Sequence, residues 1–172
     1  MTTHPILFST PMVQAILEGR KTMTRRISKI TPLDVANENL LDDILPIPIE
    51  QRCPYGQPGD ILWVRESFFN HFSDLYSYKA DNTKGNKKWK PSIHMPKAAC
   101  RIFLRITDIR VERLKNITEE DANNEGVFLD MWDNKVTAFS NLWKKINGHD
   151  SWSANPWVWV ISFERCEKPE NF

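Results

Sequence analysis

A lysine and a threonine three residues apart are the first residues in this chain that could do chemistry together. Lys21 and Thr24 lie in the run Gly19-Arg20-Lys21-Thr22-Met23-Thr24-Arg25-Arg26, which packs two hydroxyls and four cations side by side. A hydroxyl beside an amine is one way in which a threonine is activated as a nucleophile. Their spacing brings the pair together where the chain turns or stays helical, and sends them to opposite faces of a straight strand. A short basic run is equally the composition of a solvated surface.

The elements around this run must position it. Upstream, Ile6-Leu7-Phe8 reads as a first strand. A helix follows, with Thr10 as its expected cap, Pro11 at the first helical position and Met12, Val13, Ile16 and Leu17 at helical spacing. Gly19 is a natural stop. Downstream, residues 28–57 change character, with Pro32, Pro46, Pro48 and Pro54 and acids at Glu38, Asp42 and Asp43. This stretch is expected to be an insertion carrying one helical turn near 36–41. Pro58-Gly59-Asp60 is a turn that opens into the strand Ile61-Leu62-Trp63-Val64, and Arg65 and Glu66 end it, either as a surface pair or as pocket lining.

Residues 69–99 read as a second insertion. They hold a strand-like stretch at Tyr76 and Tyr78 and a basic loop in which Lys84, Lys87, Lys88 and Lys90 surround Trp89. Cations interleaved with an aromatic ring suit phosphates and a stacked base, although a solvated loop has the same composition. Residues 101–111 then alternate as a strand. Thr118 caps an acidic helix that ends near Gly126, and residues 128–146 carry an amphipathic helical pattern stopped by Asn147-Gly148. The last strand, Trp157 to Phe163, is apolar on both faces and is expected to be central.

Length and composition set the bounds. At 172 residues and 41% hydrophobic content, the chain is expected to be one domain spanning 1–172 with those two insertions. A formal net charge of +1 leaves any affinity for nucleic acid to a local patch. Three scattered cysteines and four scattered histidines show no metal-ligand spacing, so no metal and no cofactor is expected. With no signal peptide and no long apolar run, the expectation is a cytoplasmic protein with no membrane partner.

The pattern Gly19-x-Lys21-x-x-Thr24-x-Arg26, with the Gly-Asp turn and the strand behind it, resembles the ASCH domain family, small PUA-like barrels. The resemblance implies an α+β fold, a closed or nearly closed β-barrel with helices packed on its outside. The chain is also similar to longer ASCH-type proteins of phages and prophages. Within the family it resembles amidohydrolases that deacetylate N4-acetylcytidine, including in the helix Thr118-Glu119-Glu120-Asp121-Ala122-Asn123-Asn124-Glu125. That likeness implies Lys21, Thr24 and Glu125 as the catalytic residues. Lys21 would act as base, Thr24 or a water as nucleophile, and Glu125 would orient or protonate the leaving amine. Arg26 or backbone N–H groups near Gly19 would hold the oxyanion, and no step needs a metal. The competing reading is a barrel that binds a modified nucleoside, RNA or DNA without catalysis, or cleaves RNA. Gly19, Arg20, Arg25, Arg26, Arg65, Glu66, Lys88 and Trp89 are the candidate binding residues for either reading.

Overall fold

The computed structural model describes residues 1–30, 49–72, 75–81, 87–127 and 134–172. The expected helical turn near 36–41, Lys84 and the first residues of the 128–146 helix lie outside these. The chain opens with β1 (Thr3–Leu7), α1 (Thr10–Leu17) and β2 (Met23–Ile27), so the second half of the basic run is a strand. Then come β3 (Ile61–Arg65), the hairpin β4 (Phe68–Phe72) and β5 (Leu75–Tyr78), and the long β6 (Phe103–Arg113). The short helix α2 (Glu119–Asn124), α3 (Lys135–Asn147) and β7 (Trp157–Cys166) complete it.

Five strands form one sheet in the order β1-β3-β6-β7-β2, with β1 parallel to β3 and the remaining neighbours antiparallel. The alternation of β7 organises both faces. Trp159, Ile161 and Phe163 share a core with Met12, Val13 and Ile16 of α1, whereas Val158 and Val160 pack with Phe139 and Trp143 of α3. The pattern therefore places β7 inside the sheet, and helices cover both sides.

The expected barrel does not close. β1 and β2 are the two edges of the sheet, and no ladder joins them. The connection between them carries α1, whose buried face enters the sheet's core instead of letting the edges zip together. A side chain spans the gap, the Arg26 guanidinium donating to the Leu7 carbonyl at 2.6 Å. One local expectation also changes: Ser9 occupies the cap position of α1, with Thr10 already helical. Residues 92–94, within the second stretch read as an insertion, form a 3-10 turn. Among the described residues no helix is long and apolar enough to cross a membrane.

Candidate functional site

The site lies on the unclosed side of the sheet, and its residues come from local features that are easy to trace. Gly19, at φ 76°, ends α1 and turns the chain towards β2. Lys21 then forms an isolated antiparallel bridge with Glu125, just before β2 begins. Glu125 is delivered by α2, a helix of fewer than two turns. Its start is fixed by the Thr118 hydroxyl accepting from the Asp121 N–H at 3.0 Å. Its end is turned by Gly126, at φ 75°, where an added Cβ would stand 2.8 Å from Lys21 Cβ and 3.0 Å from Ala15 Cβ. Glycine is what lets the end of α2 approach Lys21 this closely.

Lys21 is 3% exposed, and three acceptors meet its ammonium: Met23 O at 2.7 Å, Glu125 O at 2.9 Å and Glu125 Oε2 at 2.8 Å. Three donors for three acceptors is a saturated ammonium. Burial pushes its proton affinity below the ordinary lysine value. The Glu125 carboxylate pulls the other way, and Arg26 and Arg25 add to the lowering. The other oxygen of Glu125 faces Arg25, whose Nη1 lies 3.4 Å from Oε1. Arg25 Nη2 in turn donates to Glu112 Oε1 at 2.5 Å and to Asp121 Oδ2 at 2.7 Å. Asp121 also accepts from Arg110, and burial there is outweighed by these two guanidinium groups, which hold its carboxyl below the usual aspartate range.

A cavity of about 380 Å³ opens beside this cluster, within the ~300–1,000 Å³ span of small-molecule sites. Lys21, Thr24, Arg25, Arg26 and Glu125 line it from one side and Phe139, Leu142 and Trp143 of α3 from another, with Phe8 and Tyr55 also in the wall. Lys21, Thr24 and Glu125 are thus brought to one cavity. Thr24 is buried, on the face of β2 that pairs across to Ile161, while its neighbour Arg25 pairs across to Val160 on the other face.

The remaining candidates are placed differently. Arg20 donates to Glu18 and to the Gly126 carbonyl, at 2.7 and 3.0 Å. Arg65 donates to the Ile93 carbonyl and lies over Trp63. Glu66 is fully buried and takes a two-pronged contact from Arg101, at 2.8 and 3.2 Å, away from the cavity's lining. Lys88 is exposed, and Trp89 is half-buried with the Lys87 ammonium 5.8 Å from its ring. Among the described residues no group of three or more His, Cys, Asp or Glu side chains could hold a metal.

Sequence reasoning missed Glu112, Arg110 and the aromatic wall. Asp121 was legible only as one acid of α2, whereas its side chain is only 15% exposed and inside the ion-pair cluster. One signal was present. Asp121 and Glu125 are four apart, so a helix places both on one face, ready to meet a basic partner.

No family model matches the sequence, and no curated protein does. The solved structures to which the chain is similar include two that cover almost all of it. One is a protein from Enterococcus faecalis V583 assigned to the family DUF984, at 12% identity over 99% of this chain and 84% of that one, with a TM-score of 0.49. The other is from Lactobacillus crispatus JV V101, at 12% identity over 97% of this chain and 81% of that one, with a TM-score of 0.47. Likenesses of this size leave the chemistry to be argued from Lys21, Thr24, Arg25 and Glu125 themselves. The structural neighbours of this chain thus include, in the Lactobacillus crispatus protein, an ASCH domain, the family that its Gly-x-Lys-x-x-Thr-x-Arg motif resembles.

Proposed function

We propose that the chain is an amidohydrolase that removes the acyl group from an N4-acylated cytosine-type base. The observation that carries this reading is the 2.8 Å hydrogen bond between Lys21 and Glu125, buried in the wall of a cavity that Thr24 also lines. In that setting an ion pair and its neutral form lie closer in energy than in water, because burial penalises both charges.

The resting state is the ammonium–carboxylate pair. Transfer of one proton along the hydrogen bond leaves a neutral amine on Lys21 and a protonated Glu125. The amine then accepts the Thr24 hydroxyl proton as Oγ1 attacks the acyl carbonyl and the C–O bond forms. As the C–N bond breaks, Glu125 gives its proton to the departing exocyclic nitrogen, which leaves as the free amine. Water, deprotonated by the same pair, releases the acyl group from Thr24 as a carboxylic acid. Direct attack by that water would use the same two residues without the covalent step.

Two features support this over a phosphate-gripping module. The motif's arginines already have partners: Arg25 among three carboxylates, Arg26 on the Leu7 carbonyl and Arg20 on Glu18 and Gly126. The cavity also carries aliphatic lining at Leu7, Ile27 and Ile146, all exposed, which suits a flat neutral base better than a phosphate chain. The test is cytidine release from N4-acetylcytidine by the wild type and by Lys21→Ala, Thr24→Ala and Glu125→Ala. Turnover lost in all three folded variants would support the reading. Turnover that persists in Lys21→Ala or Glu125→Ala, or that is absent from the wild type, would refute it, and turnover that persists in Thr24→Ala alone would assign the attack to water.

A further inference from the structure

The proposed chemistry uses Lys21, Thr24 and Glu125 and leaves Arg25 without a part. Yet Arg25 is the most completely enclosed charge in the cluster, with none of its side chain exposed. Its Nη2 is shared between Glu112 of β6 and Asp121 of α2, and its Nη1 reaches Glu125, while its buried Nε has no hydrogen-bond partner among the described residues. As a device for stability this is a poor bargain. Buried ion networks rarely outperform apolar packing of the same volume, and a buried donor without an acceptor is a further cost. Orientation is a better account of it. α2 is six residues long, and Glu125 sits just past its end, where a helix terminus frays. Something outside the helix has to hold that carboxylate.

We propose that Arg25 is a positioning residue for the site: anchored by Glu112 and Asp121, its guanidinium fixes one oxygen of Glu125 so that the other faces Lys21. This rests on the amidohydrolase reading for its purpose, and on the ion-pair geometry for its substance. Among the described residues, the charged and titratable groups around Lys21 are Glu125 beyond α2, Arg25 and Arg26 on β2, and Tyr55 in the cavity wall. Behind Arg25 stand Asp121 of α2 and Glu112 and Arg110 of β6. In this array Arg25 has two effects. It sets where Glu125 points, and as a nearby like charge it makes the Lys21 proton easier to release.

The test follows Lys21 directly, by NMR of lysine side chains labelled at Cε, in the wild type, Arg25→Gln and Asp121→Asn. Replacing Arg25 removes a cation, so the Lys21 titration is expected to move to higher pH. Replacing Asp121 removes an anion while keeping Arg25, so the titration is expected to move the opposite way. The limb of the pH–rate profile that follows Lys21 is expected to move with it in each variant. If Arg25→Gln does not fold, Asp121→Asn decides the question. A Lys21 titration that stays put in the folded variants, with activity merely reduced at every pH, would overturn the inference and make Arg25 a packing residue. Because the NMR titration needs no turnover, a wild type that fails to hydrolyse N4-acetylcytidine would defeat the functional reading while the positioning of Glu125 is still decided separately.

Discussion

Among the described residues, two glutamates are almost completely buried, and both face arginine. Glu125 meets Lys21 and Arg25, while Glu66 meets Arg101, which is itself held by Asp81 and stacked 3.9 Å from the Tyr78 ring. The parts are alike and the settings are not. Around Glu66 the protein closes: the backbone N–H contacts Met95 Sδ, and Phe68, Met95 and Ala99 form a small core of their own. Burial raises the Glu66 carboxyl above the ordinary glutamate range despite the opposing hydrogen bonds from Arg101. Around Glu125 two cations flank one carboxylate, and the cluster opens onto a cavity. A buried, perturbed acid is therefore a weak sign of function by itself. What separates the two is the open space beside the charge and the threonine that lines it.

The largest effect that would sharpen this contrast is on turnover. Replacing Lys21 or Glu125 by alanine is expected to lower kcat by ~10²–10⁴-fold, the usual worth of a positioned acid or base. Steady-state kinetics on N4-acetylcytidine would show it. On the other side of the comparison, Arg101→Ala is expected to cost roughly 3–5 kcal/mol at neutral pH in urea unfolding, because it strands a buried carboxylate. That penalty is expected to shrink in acid, where Glu66 becomes neutral.

The two clusters are also expected to respond to pH with opposite sign. Asp121 is held below its unfolded value of 3.8, so its contribution is fully present above that pH and is lost as the pH falls through the lowered folded value. Glu66 is held above 4.5, so the folded state keeps its proton longer than the unfolded one. Stability then falls as the pH rises from 4.5 through the raised folded value. Chemical denaturation of Asp121→Asn and Glu66→Gln against the wild type, across the acid range, would read both slopes. Equal slopes would break the contrast. A smaller effect is expected at the helix that carries Glu125. Thr118→Ala removes the cap of α2, with an expected loss of about 1 kcal/mol in the same assay.

How much of this was legible in the sequence follows from the range of the forces involved. The stop at Gly19, the cap at Thr118, the turn at Gly59 and the two-sided burial of β7 are local signals, and the structure carries them as read. The open sheet was not legible, because closure depends on whether β1 and β2 meet across α1, and periodicity is silent on strand neighbours. Arg25 was legible only as one more cation. Its partners Glu112 and Asp121 lie 87 and 96 positions away, and no window of sequence joins them. Arg65 and Glu66 were adjacent and polar, which suited either a surface pair or a pocket. The strand alternation instead sends Glu66 inward to Arg101 and leaves Arg65 over Trp63.

The most direct measurement is the time course of cytidine release from N4-acetylcytidine at low and at high salt, with Lys21→Ala as the control. A buried Lys–Glu pair acting on a neutral base is expected to give turnover that barely changes with salt and disappears in the variant. No release, together with RNA binding that weakens steeply as salt rises, would contradict the account and make the basic run a phosphate grip.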